Sequence, residues 1–169
     1  LQHANLWTLY GAMLADVDYV LMGAGIPREI PGVLDRLATH QPVSLSIPLE
    51  NPRAGIENPK SHMTPSEIFP TLVSKPLKRP WFFPIVSSAT LALNLAKKAS
   101  GRVDGFVIEL PHAGGHNAPP RGPLTLNTRG EPIYGPRDEV DFIKFRELKM
   151  PFWIAGGYAS PEKLLEARE

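Results

Sequence analysis

The chain has 169 residues, a formal net charge of +1 and 43% hydrophobic residues, enough for one ordinary domain with its own core. The near-neutral balance offers no basic surface for nucleic acid, and no apolar run approaches the ~18 residues that cross a bilayer. There is no cysteine, which excludes disulfides, thiolate-held zinc or iron–sulfur clusters and a thiol nucleophile.

Residues 1–15 place Leu6, Leu9, Tyr10, Met13 and Leu14 on one side of a short helix. The apolar run 18–22 reads as a buried strand stopped by Gly23-Ala24-Gly25. Ile30, Val33, Leu34 and Leu37 then predict a helix over 27–40 that lies against something flat. Val43, Leu45 and Ile47 alternate in a strand over 42–49, limited by Pro48. The polar stretch 51–63 is expected to be loop. Thr64 and Glu67 form a capping-box pattern, with Pro65 at the first position of a helix over 65–74.

The run 81–86 is a strand, Ser87 and Ser88 are possible caps, and 89–100 is the clearest helix, closed by Gly101. Strand 104–110 is nearly all apolar, as suits a sheet covered on both faces. Residues 111–137 form a Gly- and Pro-rich excursion longer than a usual strand–helix joint. A helix over 138–150, a strand over 151–155 and a helix capped by Ser160-Pro161 follow. Trp7, Trp81 and Trp153 are expected in the core.

Five strand–helix repeats predict a parallel sheet with crossover helices. Such a set forms an open doubly wound sheet or most of an eight-stranded barrel. Gly23-Ala24-Gly25-Ile26-Pro27 lacks the third glycine of a dinucleotide fingerprint and carries proline where helix amides would serve. The chain opens on Leu1 and holds 19 prolines at segment boundaries, the expectation being an ordered piece of a longer polypeptide. With no signal-like start, a cytoplasmic location is expected.

The stretch from Asp104 to Gly122 organises the functional reading. His116 follows a strand's C-terminal end, the edge where sites gather in parallel α/β folds. There an imidazole can take a proton from carbon or steady a developing charge. Gly114 and Gly115 let the main chain approach a planar ligand and leave amides for anionic oxygens. Glu109 is a carboxylate in an apolar strand, so it either bonds the 114–116 backbone or touches substrate. His112, Glu109 and His116 could be imagined as a metal triad, but loop structure or support to a ligand site is the better expectation. Gly156-Gly157 before Ser160 resembles a phosphate seat of loop amides and a helix start. Arg121 and Tyr134 are the side chains of the long loop able to reach a pocket. Ser87-Ser88 lacks the G-x-S-x-G elbow of a serine hydrolase.

ELPHAGGHNAPPRG at 109–122, PFWIAGGYAS at 151–160 and VLMGAGIP at 20–27 together resemble the nitronate monooxygenase family, formerly 2-nitropropane dioxygenases. A wider likeness extends to flavin-dependent enoyl reductases. The hallmark is an acidic residue, a short spacer and Ala-Gly-Gly-His, matched by Glu109, Ala113, Gly114, Gly115 and His116. The resemblance implies an FMN-binding (β/α)8 TIM barrel, of which residues 1–169 would be one partial domain of about five parallel βα units. It implies His116 as catalytic base or nitronate-positioning group near flavin N5, Gly156 and Gly157 at the FMN phosphate, and Gly23 and Gly25 along the flavin. It also implies oxidation of alkyl nitronates with O2. An enoyl-thioester reductase and a non-catalytic barrel module are the alternatives. The expected partners are a small-molecule substrate, the remaining parts of its own chain or further copies of it, without nucleic acid, membrane or metal.

Overall fold

The computed structural model describes residues 4–23, 25–49, 57–71, 75–115 and 117–168. The chain divides into two compact units, one of residues 1–20, 24–82 and 98–103, the other of 21–23, 83–97 and 104–169.

In the first unit, helix α1 (Asn5–Leu14) buries Leu6, Leu9, Tyr10 and Met13, the face its spacing predicts. Helix α2 (Ile30–Leu37) buries Ile30, Val33, Leu34 and Leu37. Its N-cap residue, Glu29, contributes no side-chain cap bond. Ser100 does that work from across the chain: its Oγ accepts from Gly32 N at 3.0 Å and donates to Glu29 O at 2.9 Å, satisfying a first-turn amide that helix geometry leaves open. Gly32 is required there, because a Cβ on it would lie 2.6 Å from Ser100 Oγ. Gly101 is likewise a close-approach residue, its missing Cβ making room for Asp35 and the backbone of α2.

Strand β2 (Val43–Ser46) does not join a parallel sheet as expected. It pairs antiparallel with β3 (Lys60–Met63), with Val43 opposite Met63 and Ser44 opposite His62. This corrects both the reading of 51–63 as loop throughout and the count of five parallel strands. The alternation of buried Val43 and Leu45 with outward Ser44 and Ser46 is what a strand buried on one face shows. Helix α3 (Pro65–Ile68) is a single turn, shorter than predicted, and Thr64 occupies its N-cap position without a side-chain cap bond. Tyr10 stacks on Phe69 at 5.9 Å, and its hydroxyl meets His40 Nδ1 at 2.8 Å. Arg79 is paired with Asp35 at 2.5 Å.

The four-stranded sheet has the order β1-β4-β5-β6, from β1 (Tyr19–Met22), β4 (Trp81–Val86), β5 (Phe106–Glu109) and β6 (Phe152–Ala155). β5 runs parallel to both neighbours, with Ile85 beside Val107 and Glu109 beside Ala155. Trp81 N donates to Asp18 O at 2.8 Å, and Gly23 lies against Ile85, so β1 points the same way as β4. The fold class is therefore α/β with a mostly parallel sheet.

Helix α4 (Ala89–Lys98) buries Ala92 and Leu95, and Ser88 Oγ accepts from Leu91 N at 3.2 Å in its first turn. Helix α5 (Phe142–Glu147) covers one sheet face through Phe145, 6.4 Å from Phe106 and 6.0 Å from Phe152 between ring centres. It starts later than predicted because Asp141 is its cap, accepting from Lys144 N at 3.3 Å. Helix α6 (Pro161–Glu166) starts at Ser160, whose Oγ accepts from Lys163 N at 3.3 Å.

The tryptophans are not core residues. Trp7, Trp81 and Trp153 are 47%, 47% and 43% exposed, while smaller rings such as Phe82, Phe83, Phe106 and Phe145 fill the interior. Trp153 follows Phe152 in the strand and so faces away from α5, resting on Phe83 at 4.9 Å.

Gly105 precedes β5, and a Cβ there would overlap the Phe83 ring and approach Pro151 O to 2.6 Å. Gly105→Ala is expected to destabilise the chain by about 1–3 kcal/mol through overpacking. A lower denaturant midpoint with an unchanged m-value checks this.

Candidate functional site

The parallel register of β5 and β6 ends both strands at one level, Glu109 beside Ala155. Leu110 N continues the ladder to Ala155 O at 2.9 Å. The turns that follow are forced to leave on the same edge, and they touch. Gly156 takes φ 102°, and a Cβ on it would stand 2.5 Å from Ala113 N and 2.7 Å from Ala113 Cα. Only glycine meets both the positive φ and this backbone-on-backbone approach.

Around that contact the glycines open outward. Gly114, Gly115 and Gly157 have nothing within 4 Å of where a Cβ would be, and Gly115 and Gly157 take φ 78° and 74°. Gly23, at the end of β1, lies against Ile85. Gly25 belongs to the first unit and takes φ 76°. Of the predicted site residues, Ala113, Gly114, Gly115, Gly156 and Gly157 thus meet at one edge, with Glu109 at its base. His116 lies outside the described residues.

Glu109 is engaged with the loop, its Oε2 accepting from Ala118 N at 3.0 Å, two residues past the 114–116 backbone expected for it. Asn117 Nδ2 donates back to Pro111 O at 2.8 Å. Segment 110–118 is therefore closed at both ends by side chains. His112 is exposed; among the described residues no group of three or more His, Asp or Glu stands ready for a metal.

Arg121 and Tyr134 both line a small cavity with Ser87, Glu109, Asn117 and Asp138, and each is bonded to backbone there. Tyr134 Oη donates to Ala118 O at 2.9 Å. The Arg121 guanidinium donates to Arg137 O and Ser87 O, each at 2.6 Å, fastening the excursion to the turn after β4. Asp138 locks the loop's two arms together: 8% exposed, it accepts from Arg121 N at 2.7 Å and Gly135 N at 2.8 Å. The Gly135 and Arg121 amides, with the Arg121 charge, hold its carboxyl below the usual value of 3.8. The cavity beside Ser87, Glu109 and Asn117 is about 10 Å³, room for a water and no organic ligand.

The start of α6 is a poorer anion seat than its sequence suggests. Ser160 already caps it, and Glu162 stands in its first turn. That carboxyl is held low chiefly by its own backbone N–H and also by the Ser160 hydroxyl, so negative charge is in place there. What remains for an anion is the Gly156-Gly157 turn.

Asn117 and Asp138 were missed in the sequence. Asp138 bonds an amide three residues before it and one 17 residues before it, so no Asx-turn pattern marks it in the sequence. No protein-family model matches the chain, and no curated protein or solved structure is significantly similar to it.

Asp138→Ala is expected to speed hydrogen exchange of the Arg121 and Gly135 amides by about tenfold or more, since each loses a charged acceptor. In the unaltered chain the lock has a depressed folded pKa, so its contribution is complete above about pH 4 and fades as pH falls through the lower folded value. Exchange followed between pH 6 and pH 3 reads this directly.

Proposed function

We propose that the chain carries the flavin site of an FMN-dependent oxidoreductase of the nitronate monooxygenase type, built on a (β/α)8 barrel. The observation that carries the reading is the contact of Gly156 with Ala113. It joins the two motifs of the resemblance at the C-terminal edge of adjacent parallel strands, where ligands of such folds bind. The exposure of Leu21 and Trp153, at 46% and 43%, supports a barrel, whose inward strand faces are otherwise filled by side chains.

The described residues fit a flavin mononucleotide laid across this edge. The amides of Gly157 and its neighbours would hold the phosphate, a nest of positive φ replacing a free helix end. Gly114 and Gly115, with no side chain in the way, would let the ring system rest on backbone. FMN, when bound, supplies the electron-accepting and oxygen-reducing chemistry. The chain's own task is then orientation and proton handling. His116, following Gly115 directly, is the residue assigned to take the proton from the carbon bearing the nitro group, or to steady the nitronate oxygens. Glu109 and Asn117 would set its position by pinning the backbone on either side.

FMN titrated into the chain should lose fluorescence with saturating stoichiometry, and nitronate should drive oxygen uptake. His116→Ala should keep the flavin and lower turnover about 10²–10⁴-fold, whereas Gly156→Val should weaken flavin binding itself. Absence of flavin binding and of oxygen uptake in the chain extended to its whole polypeptide would end this reading. NADPH consumption with an enoyl thioester, without nitronate oxidation, would move it to the reductases.

A further inference from the structure

In the first unit a cavity of about 590 Å³ lies beside α2 and β2, with Ser44 on its wall and His62 of β3 also lining it. Ile47 N donates to Pro59 O at 2.8 Å, so residues 43, 45 and 47 turn their peptide groups toward β3. By the two-residue period of a strand, Ser44 and Ser46 turn theirs outward. The outer edge confirms this. Ser46 N donates to Glu29 Oε2 at 3.2 Å, and Ser46 Oγ to Glu29 Oε1 at 3.3 Å. At the other end Arg36 Nε donates to Pro42 O at 2.8 Å.

Two side chains of opposite charge thus close the ends of this edge and leave one residue between them. The Ser44 N–H and C=O have no hydrogen-bond partner among the described residues. That pair is what an antiparallel neighbour reads, one residue exchanging both of its bonds. A longer strand would meet Glu29 or Arg36 where its next pair of bonds belongs.

We infer that this groove binds a short free peptide of about three residues, in extended form and antiparallel to β2. Its middle residue exchanges both backbone hydrogen bonds with Ser44. The direction follows from the charges. β2 runs from the Arg36 end to the Glu29 end, so an antiparallel peptide sets its ammonium beside Glu29 and its carboxylate beside Arg36. Glu29 keeps acceptor sites beyond its two bonds to Ser46, and the guanidinium keeps its terminal N–H groups. Asp35 does not disturb this balance, because Arg79 neutralises it. The volume lies in the range of small-ligand sites. The inference concerns the first unit and does not rest on the flavin reading.

The test is amide-resolved NMR of the 169-residue chain titrated with trialanine. The Ser44 amide is expected to shift and saturate at millimolar peptide. Trialanine acetylated and amidated at its ends, trialanine N-methylated at its middle residue, and hexa-alanine should each bind about tenfold more weakly or worse. Ser44→Pro removes the outward N–H, which an edge strand tolerates, and should cost about tenfold in affinity, read from the neighbouring Val43 and Leu45 amides. Should that variant fail to fold, the three altered peptides against the unaltered chain still decide. Equal binding of free and capped trialanine, shifts centred away from Ser44, or no shift at about ten times millimolar peptide would overturn the proposal.

Discussion

Parallel pairing between β5 and β6 is the constraint on which the candidate site depends. Hydrogen bonds from Phe106 to Glu109 against Phe152 to Ala155 leave no freedom in where the two strands stop. Parallel strands discharge their chains at the same edge, whereas an antiparallel pair would send the two glycine motifs to opposite ends. Leu110 N on Ala155 O carries the ladder one step past the strand, and the Gly156–Ala113 approach is its geometric result. A one-residue slip would bring the wrong faces together and separate the turns.

Above this edge the long excursion is held by polar contacts rather than by apolar burial. Leu124, Leu126 and Ile133 are all more than half exposed, so the loop has little core of its own. Its order comes from Asp138, Arg121, Tyr134 and Glu109, each bonded to main chain. A carboxylate that accepts two amides inside a nearly closed site gains more from each bond than a solvated one. These bonds hold the main chain at Pro111, Ala118, Arg121 and Gly135, while Gly114, Gly115 and Gly157 stay uncovered.

How much of this was legible varied with the physics of each segment. β4 and β5 read correctly because buried parallel strands leave continuous apolar runs, as in Phe82-Phe83 and Phe106-Val107-Ile108. β1 and β6, by contrast, are strands that bury no residue, against the buried strand expected over 18–22. β2 carried the opposite signal, strict alternation, which belongs to a strand with one wet face, and it was assigned to the wrong sheet. β3, Lys60-Ser61-His62-Met63, buries only Met63, so its pattern holds too little hydrophobic contrast to show a strand. The glycine pairs could be recognised as local motifs, but their contact depended on register between strands over 40 residues apart. Asp138 was hidden inside an expected helix, since an acidic residue suits a helix start as well as a loop lock. The tryptophans misled because size alone does not bury a ring; position on the sheet face does.

The Ser100 bridge to Glu29 and Gly32 also bears on how the chain folds as it is made. Helix α2 borrows its starting bond from a residue about seventy positions later, so a nascent chain ending anywhere before Ser100 holds that helix with a frayed first turn. The hydroxyl arrives only after α4 has been synthesised. Closing so wide a circuit is slow compared with local coiling, and the first unit consequently completes itself late, from both ends of its sequence at once.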